Sequence, residues 1–359
     1  MNKTLMKILN LMNSLYDISW KVDEPTYRAD PALSYSTLAK YEREGRFNSL
    51  PTLFDKIETP SLTFGSMVDT LITGTANDFV SQFIVVDDPG LSDSLKEITQ
   101  ILYSLHKEDG KRFEELEDEE LARIGKECNY YAGDKYANYR VKQIKENCKP
   151  YYNTLCIAEG KKVVSQEDVE DARRCAEVLK TCERTAFYFA ENDPFDNTIQ
   201  RFYQLKFKHS FEEVDYRCMM DLAVVDNAKK TIQPVDLKTS SHNEWEFPMS
   251  FQQWLYVIQA RLYWRILRAV MNEDPVFKEY KLLPYKFIVV NRKNCKPMVW
   301  DFPLTETVGE IKITTPSGYN IIWRDPFVIG EELRYYLDNT PELPIEANNT
   351  DIVGWIKTH

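Results

Sequence analysis

The chain has 359 residues, 43% of them hydrophobic and 28% charged, with a formal net charge of −11. That length bounds it to about one to three domains with a sizeable core, and the composition excludes a disordered chain. The acidic balance excludes non-specific coating of nucleic acid but leaves room for a local basic groove.

In chain order, residues 1–60 read as a helical arm. Residues 1–20 carry Leu5, Ile8, Leu9, Met12 and Leu15 at helical spacing, an amphipathic helix rather than a signal peptide. Ser34-Tyr35-Ser36 caps a short helix through Thr37 and Tyr41. Residues 61–90 hold the first core helix and an edge. Met67, Val68, Leu71 and Ile72 make its buried face, Gly74 its stop, and 79–86 a strand or extended edge. Residues 91–190 are charged and helix-prone, with Tyr130, Tyr131, Tyr136, Tyr139, Tyr151 and Tyr152 interleaved with Lys135, Arg140, Lys142, Lys145 and Lys149. Aromatic and basic residues in that alternation suit stacking on bases and gripping phosphates, although a solvated helical face has the same look. Ser165 opens a helix to about Cys182.

Residues 195–305 hold the core. Strands are expected over 199–209, 217–225 and 231–238, then a helix over 251–270, then strands over 287–290 and 298–302 joined by the basic turn Arg292-Lys293-Asn294. The turn is a second candidate phosphate contact. The tail, 306–359, carries strands at 311–314 and 320–323 and a helix over 329–337. No linker or repeat divides the chain, so one domain over 1–359 with a helical insertion is expected. The fold class is α/β with a mixed central β-sheet flanked by helices.

Seven Cys without a CxxC pair read as reduced intracellular thiols, and the four His show no metal-ligand spacing. No segment approaches the roughly 18 apolar residues of a membrane span. A cytoplasmic protein is expected.

The most informative stretch is the hairpin over 216–238. Folding it about the midpoint of Ala228 and Lys229 places Asp221 opposite Asp236. Period-two alternation puts Asp236 and Lys238 on one face and Leu237 on the other. Strand interiors disfavour Asp, so two acids and a lysine here call for a reason. Asp-x-Lys alone is weak, since about one or two arise by chance. Asp109-Gly110-Lys111 and Glu159-Gly160-Lys161 are turn-like, whereas Glu310-Ile311-Lys312 sits on an expected strand and competes. Asp236 differs in facing an acid and in being followed by a long helix, on which Gln259 and Tyr263 share a face.

Asp221, Asp236-Leu237-Lys238 and Gln259-Ala260-Arg261-Leu262-Tyr263 together resemble the PD-(D/E)xK nuclease superfamily, in its RecB-like branch with a Q-x-x-x-Y helix. Tyr35-Ser36-Thr37-Leu38 and Phe64-Gly65-Ser66-Met67-Val68-Asp69 are similar to the amino-terminal pattern of RecE-like phage and prophage exonucleases of the exodeoxyribonuclease VIII type. The chain departs from that pattern where Asp69 replaces the usual histidine of G-x-x-x-H, and where Gln200 or Gln204 stands in place of an acid on the first core strand.

The resemblance implies a restriction-endonuclease-like sheet and a Mg²⁺-dependent DNA exonuclease, with Mn²⁺ able to substitute, acting on linear duplex ends in recombination. It also implies a single-strand annealing protein as partner and a homo-oligomer. The chemistry agrees. Phosphodiester hydrolysis needs a cation to neutralise the phosphate and activate water, and Mg²⁺ takes a few carboxylates. Asp221 and Asp236 would supply those, the Leu237 carbonyl a third ligand, and Asp69 either a further ligand or a buried helix-cap or structural contact. Lys238 would orient or deprotonate water and offset charge. Gln259 and Tyr263 would hold phosphate or Lys238, and Arg261 is expected on a solvated face. Alternatives are an inactive nuclease fold serving as a DNA-binding or assembly module, kept open by Asp69, and a nuclease for single strands, flaps or RNA.

Overall fold

The computed structural model describes residues 14–55, 59–86 and 90–339. The amphipathic helix expected over 1–20 falls mostly on residues 1–13, outside the described residues. Ser34 accepts from the Thr37 amide to open α1 (Tyr35–Arg43), and Thr59 accepts from Leu62 to open α2 (Pro60–Thr73), which Gly74 ends. The edge expected over 79–86 is helical as far as Gln82. Thr75 and Asp78 form a capping box, and that local chemistry outweighs the apolar pattern.

Only β1 (Phe83–Val85) is extended there, and it pairs in parallel with β2 (Lys162–Val164). Between the two strands run α3 (Asp93–Asp109), α4 (Asp118–Glu127) and α5 (Ala137–Ala158). They bury an apolar cluster of their own, including Ile98, Leu102, Leu121, Ile124 and Ile144. The helical excursion thus leaves the body and rejoins it at neighbouring strands. Ser165 then caps α6 (Gln166–Thr181), accepting from Asp168 at 3.0 Å.

The core follows as β3 (Ile199–Phe211), β4 (Val214–Asp226), β5 (Thr231–Ser240), α7 (Phe247–Gln253), α8 (Tyr256–Glu273), β6 (Lys281–Leu282), β7 (Tyr285–Asn291) and β8 (Pro297–Phe302). The sheet runs in the order β3-β4-β5-β7-β8, with β6 also beside β5. The β5–β7 pair is parallel and β3–β4, β4–β5 and β7–β8 are antiparallel, so the sheet is mixed. Helix α8 makes the crossover between the parallel strands and covers one face through Ile258, Leu262 and Ile266. Helices α2 and α6 cover the other through Val68, Ile72, Val169 and Ala172. The α/β class with helices flanking a mixed central sheet is the observed architecture.

One expected element is two. The helix over 251–270 breaks at Trp254 and Leu255, and Leu255 sits in the left-handed region at φ 53°. Both flanking helices must bury aromatic faces, since Phe247 and Phe251 pack on Phe287 from α7 while Tyr256 does so from α8. A straight helix cannot present all three to one ring.

The tail forms a separate antiparallel pair, β9 (Ile311–Thr314) with β10 (Asn320–Trp323), and then α9 (Pro326–Asp338). Glu310 and Lys312 are exposed on this hairpin, which removes the competing triplet from the central sheet. Among the described residues no helix is long and apolar enough to cross a membrane.

Candidate active site

The hairpin has the register that its symmetric folding demands, with Leu222 facing Val235 and Asp226 facing Thr231. Continued one step, that register sets Asp221 against Asp236. The β4–β5 ladder stops there, while on its other edge β5 stays paired with β7 from Val235 to Ser240. Asp221 fills the gap, its Oδ2 accepting from the Leu237 amide at 2.8 Å.

The same step is interrupted on the other side of β4. The β3–β4 ladder skips the pair of Gln204 and Asp221, lying between Tyr203↔Leu222 and Leu205↔Met220. Gln204 adopts φ 52°, in the left-handed region. Across the break side chains exchange faces. Met220 and Leu205 lie in the α8-side core, whereas Leu222 and Tyr203 lie toward α2 and α6. One residue out of the ladder on each strand acts as a paired bulge and re-aims both side chains.

Asp69, in the middle of α2, meets this bulge. Gln204 Nε2 donates to both its oxygens, at 3.0 and 2.9 Å. Asp69 is therefore no helix cap. Asp236 is 1% exposed. Gln259 Nε2 donates to its Oδ1, and Lys238 Nζ lies 2.7 Å from Oδ2. That last contact has the distance of an ion pair but not hydrogen-bond angles, so Oδ2 is buried without a hydrogen bond.

The electrostatics follow from burial. Desolvation pushes Asp69 up to about 7, against the Gln204 hydrogen bond and with the Asp236 charge adding to it. Burial likewise lifts Asp221 well above the carboxylate range, reinforced by Asp236 and Asp69 and opposed by Lys238. Burial also raises Asp236, outweighing Lys238. For Lys238 burial acts downward, but Asp236 and its neighbours overcome it and the net shift is up. Lys238 is thus held as an ammonium, suited to stabilising charge rather than taking a proton. Three carboxylates against one ammonium leave an excess of two negative charges if all are ionised.

Asp69 has a consequence in the chelated protein. Folded, it keeps a proton up to about pH 7, while its ordinary pKa is 3.8. The folded state then holds the extra proton between those values, and stability falls as pH rises through that window. Melts in EDTA should show Asp69→Asn losing less stability than wild type between pH 4 and about 7. Parallel pH profiles would refute this.

The remaining residues divide. Gln259 holds Asp236 rather than Lys238. Tyr263 is buried against Tyr285, ring centroids 6.4 Å apart, and among the described residues its hydroxyl makes no hydrogen bond. The aromatic ring at Lys238 is Tyr256, with Nζ 4.8 Å from its centroid. Tyr256, Gln259 and Tyr263 share one face of α8, and Tyr256 is simply the member nearest the lysine. Arg261 is not on a solvated face. It is 0% exposed and bonds Asp325 at 2.9 Å and the carbonyls of Thr307 and Arg324 at 2.8 and 3.1 Å. The β9–β10 hairpin and α9 cover that side of α8.

The expected phosphate contacts are mostly committed elsewhere. Arg292 pairs with Asp168 and Asp171, whereas Lys145 pairs with Asp118 and Lys149 with Glu114. Sequence reasoning missed Tyr256 and the part of Gln204 in holding Asp69. For Gln204 the signal was its place opposite Asp221. For Tyr256 it was the three-residue spacing from Gln259, which puts both on one face of the helix.

No family model matches the chain, and no curated protein does. Among solved structures, five chains match. One is the crystal structure of a candidate exonuclease from Eubacterium rectale, with TM-score 0.39 and 13% identity, covering 90% of this chain and 85% of that chain.

Proposed function

We propose that the chain is a Mg²⁺-dependent nuclease that hydrolyses phosphodiester bonds in DNA, acting as an exonuclease on linear duplex ends in recombination. One observation carries the reading: Asp69, Asp221, Asp236 and Lys238 converge at a step where both ladders of β4 are interrupted. A structural ion pair needs one acid. Here burial and mutual repulsion lift three, an arrangement that a cation relieves.

The residues fit a hard divalent cation. They offer carboxylate oxygens, one of them, Asp236 Oδ2, buried without a hydrogen bond, and an excess charge that one such ion would cancel. Among the described residues no three of the His, Cys, Asp and Glu side chains are grouped closely enough to hold a metal together. Asp221 and Asp236 would hold the ion, with the Leu237 carbonyl as a third ligand, while Asp69, which takes one contact from Gln204 on each oxygen, keeps lone pairs on its carboxylate. Mn²⁺ is expected to substitute for Mg²⁺. When bound, the ion neutralises the phosphate and lowers the pKa of water. Lys238 stabilises charge that develops on the phosphate oxygens. Gln259 keeps Asp236 in one orientation, and Tyr256 keeps Lys238 against the acids. Tyr263 supports this face of α8 by packing.

Asp69 favours a second reading, a nuclease fold that binds DNA or assembles without cutting, because its carboxylate is already engaged by Gln204. Partnership with a single-strand annealing protein and homo-oligomerisation belong to either reading. End-labelled linear and closed circular DNA, incubated with the protein in Mg²⁺ or EDTA, decides between them. Cleavage of the linear form only, and only with Mg²⁺, is the expected result. No metal-dependent cleavage removes the enzyme reading, and equal cutting of circles removes the exonuclease.

A further inference from the structure

We infer that the indole of Trp254, with the Arg43 guanidinium over it, is a stacking subsite for an unpaired nucleobase at the rim of the candidate active site. The inference rests on the nuclease reading and names the part of the substrate that the site meets first. Trp254 lies at the break between α7 and α8. Leu255, the next residue, is held at φ 53°, a conformation rarely adopted by a bulky side chain. The strained step separates two aromatic neighbours. Tyr256 turns inward to Lys238, at 4.8 Å, while Trp254 stays 42% exposed.

The outward position is fixed from the far end of the chain. The Tyr35 hydroxyl donates to the Trp254 carbonyl at 2.7 Å, and the Tyr35 ring packs 6.2 Å from Tyr256. Arg43, at the other end of α1, sets its guanidinium 4.8 Å from the Trp254 ring. Its acidic neighbour Glu44 is at 3.5 Å. A lone exposed tryptophan needs no explanation. This one is clamped by a tyrosine, flanked by a strained residue and paired with a cation, two positions from the ring that touches Lys238. An indole face accepts any base, and the adjacent cation suits the phosphate next to that base. A strand stacked on Trp254 would run toward Lys238.

The test is a double-mutant cycle on binding, with Ca²⁺ in place of Mg²⁺ to suppress cleavage. Fluorescent duplexes with a short unpaired end carry an abasic nucleotide at each terminal position in turn. Trp254→Ala should weaken binding about tenfold, and Trp254→Phe should keep most of the affinity. One abasic position should produce the same loss in the wild type and no further loss in Trp254→Ala. Additive losses at every position, or none from any abasic nucleotide, would overturn the subsite. A protein that binds and cuts DNA yet shows additivity loses only this inference; one that neither binds nor cuts DNA loses the nuclease reading as well.

Discussion

Asp236→Asn is expected to lower metal-dependent cleavage of linear DNA by about a thousandfold or more, the scale of removing a principal charge-stabilising group. Asp236 is the most enclosed of the three acids and the one that organises the others. Lys238 lies 2.7 Å from its Oδ2, and Gln259 donates to Oδ1. Asparagine keeps the shape but removes the charge that attracts a cation. It also removes the largest of the influences raising Lys238, leaving Asp221 as the carboxylate that opposes burial there. Stability should change little by comparison. Losing the ion pair is unfavourable, while losing the repulsion between Asp236 and Asp221 is favourable. End-labelled duplex degradation, read alongside a thermal melt, checks both halves. A folded Asp236→Asn protein that retains a tenth of wild-type cleavage would exclude this acid from the chemistry.

Asp325→Ala should be the most damaging change to stability. Asp325 is 4% exposed and receives Arg261 at 2.9 Å and Arg265 at 3.0 and 2.9 Å. It also accepts from the Gly309 amide at 2.7 Å and from Phe327 as the cap of α9. Removing it leaves the fully buried Arg261 uncompensated, which costs about 3–5 kcal/mol, and the lost cap adds about 1. Against a typical total of about 5–15 kcal/mol, much of the protein would unfold. Urea titration measures this. Arg261→Met in the Asp325→Ala background should recover part of the loss, since the fully buried charge is then gone and only the partly exposed Arg265 remains beside Thr307. A cost below about 1 kcal/mol would show that water reaches Arg261.

Much of the core was legible because it is local. The turn at 226–230 and the alternation on either side set the register that brings Asp221 toward Asp236. Ser34, Gly74 and Ser165 mark helix ends by capping chemistry that acts within a few residues. Errors arose where a distant segment chose between local options. Arg261 has a charged residue's pattern, but the β9–β10 hairpin and α9 close over it. The apolar run from 251 looks like one helix, yet contacts with Phe287 divide it at Leu255. The turn at Arg292 looks free, yet α6 supplies two acids to it.

By itself the sequence determined the order of the main strands of the central sheet, the facing of the hairpin, and the side of β5 that Asp236 and Lys238 share. Those follow from the two-residue and 3.6-residue periods of the chain. Only the tertiary structure decided that Gln204 leaves the ladder to hold Asp69, that Tyr256 rather than Tyr263 meets Lys238, and that Tyr35 and Arg43 frame Trp254. These contacts join residues 135 and 219 positions apart in the cases of Gln204 with Asp69 and Tyr35 with Trp254. Periodicity shows which face of an element is apolar, but not which distant element will cover it.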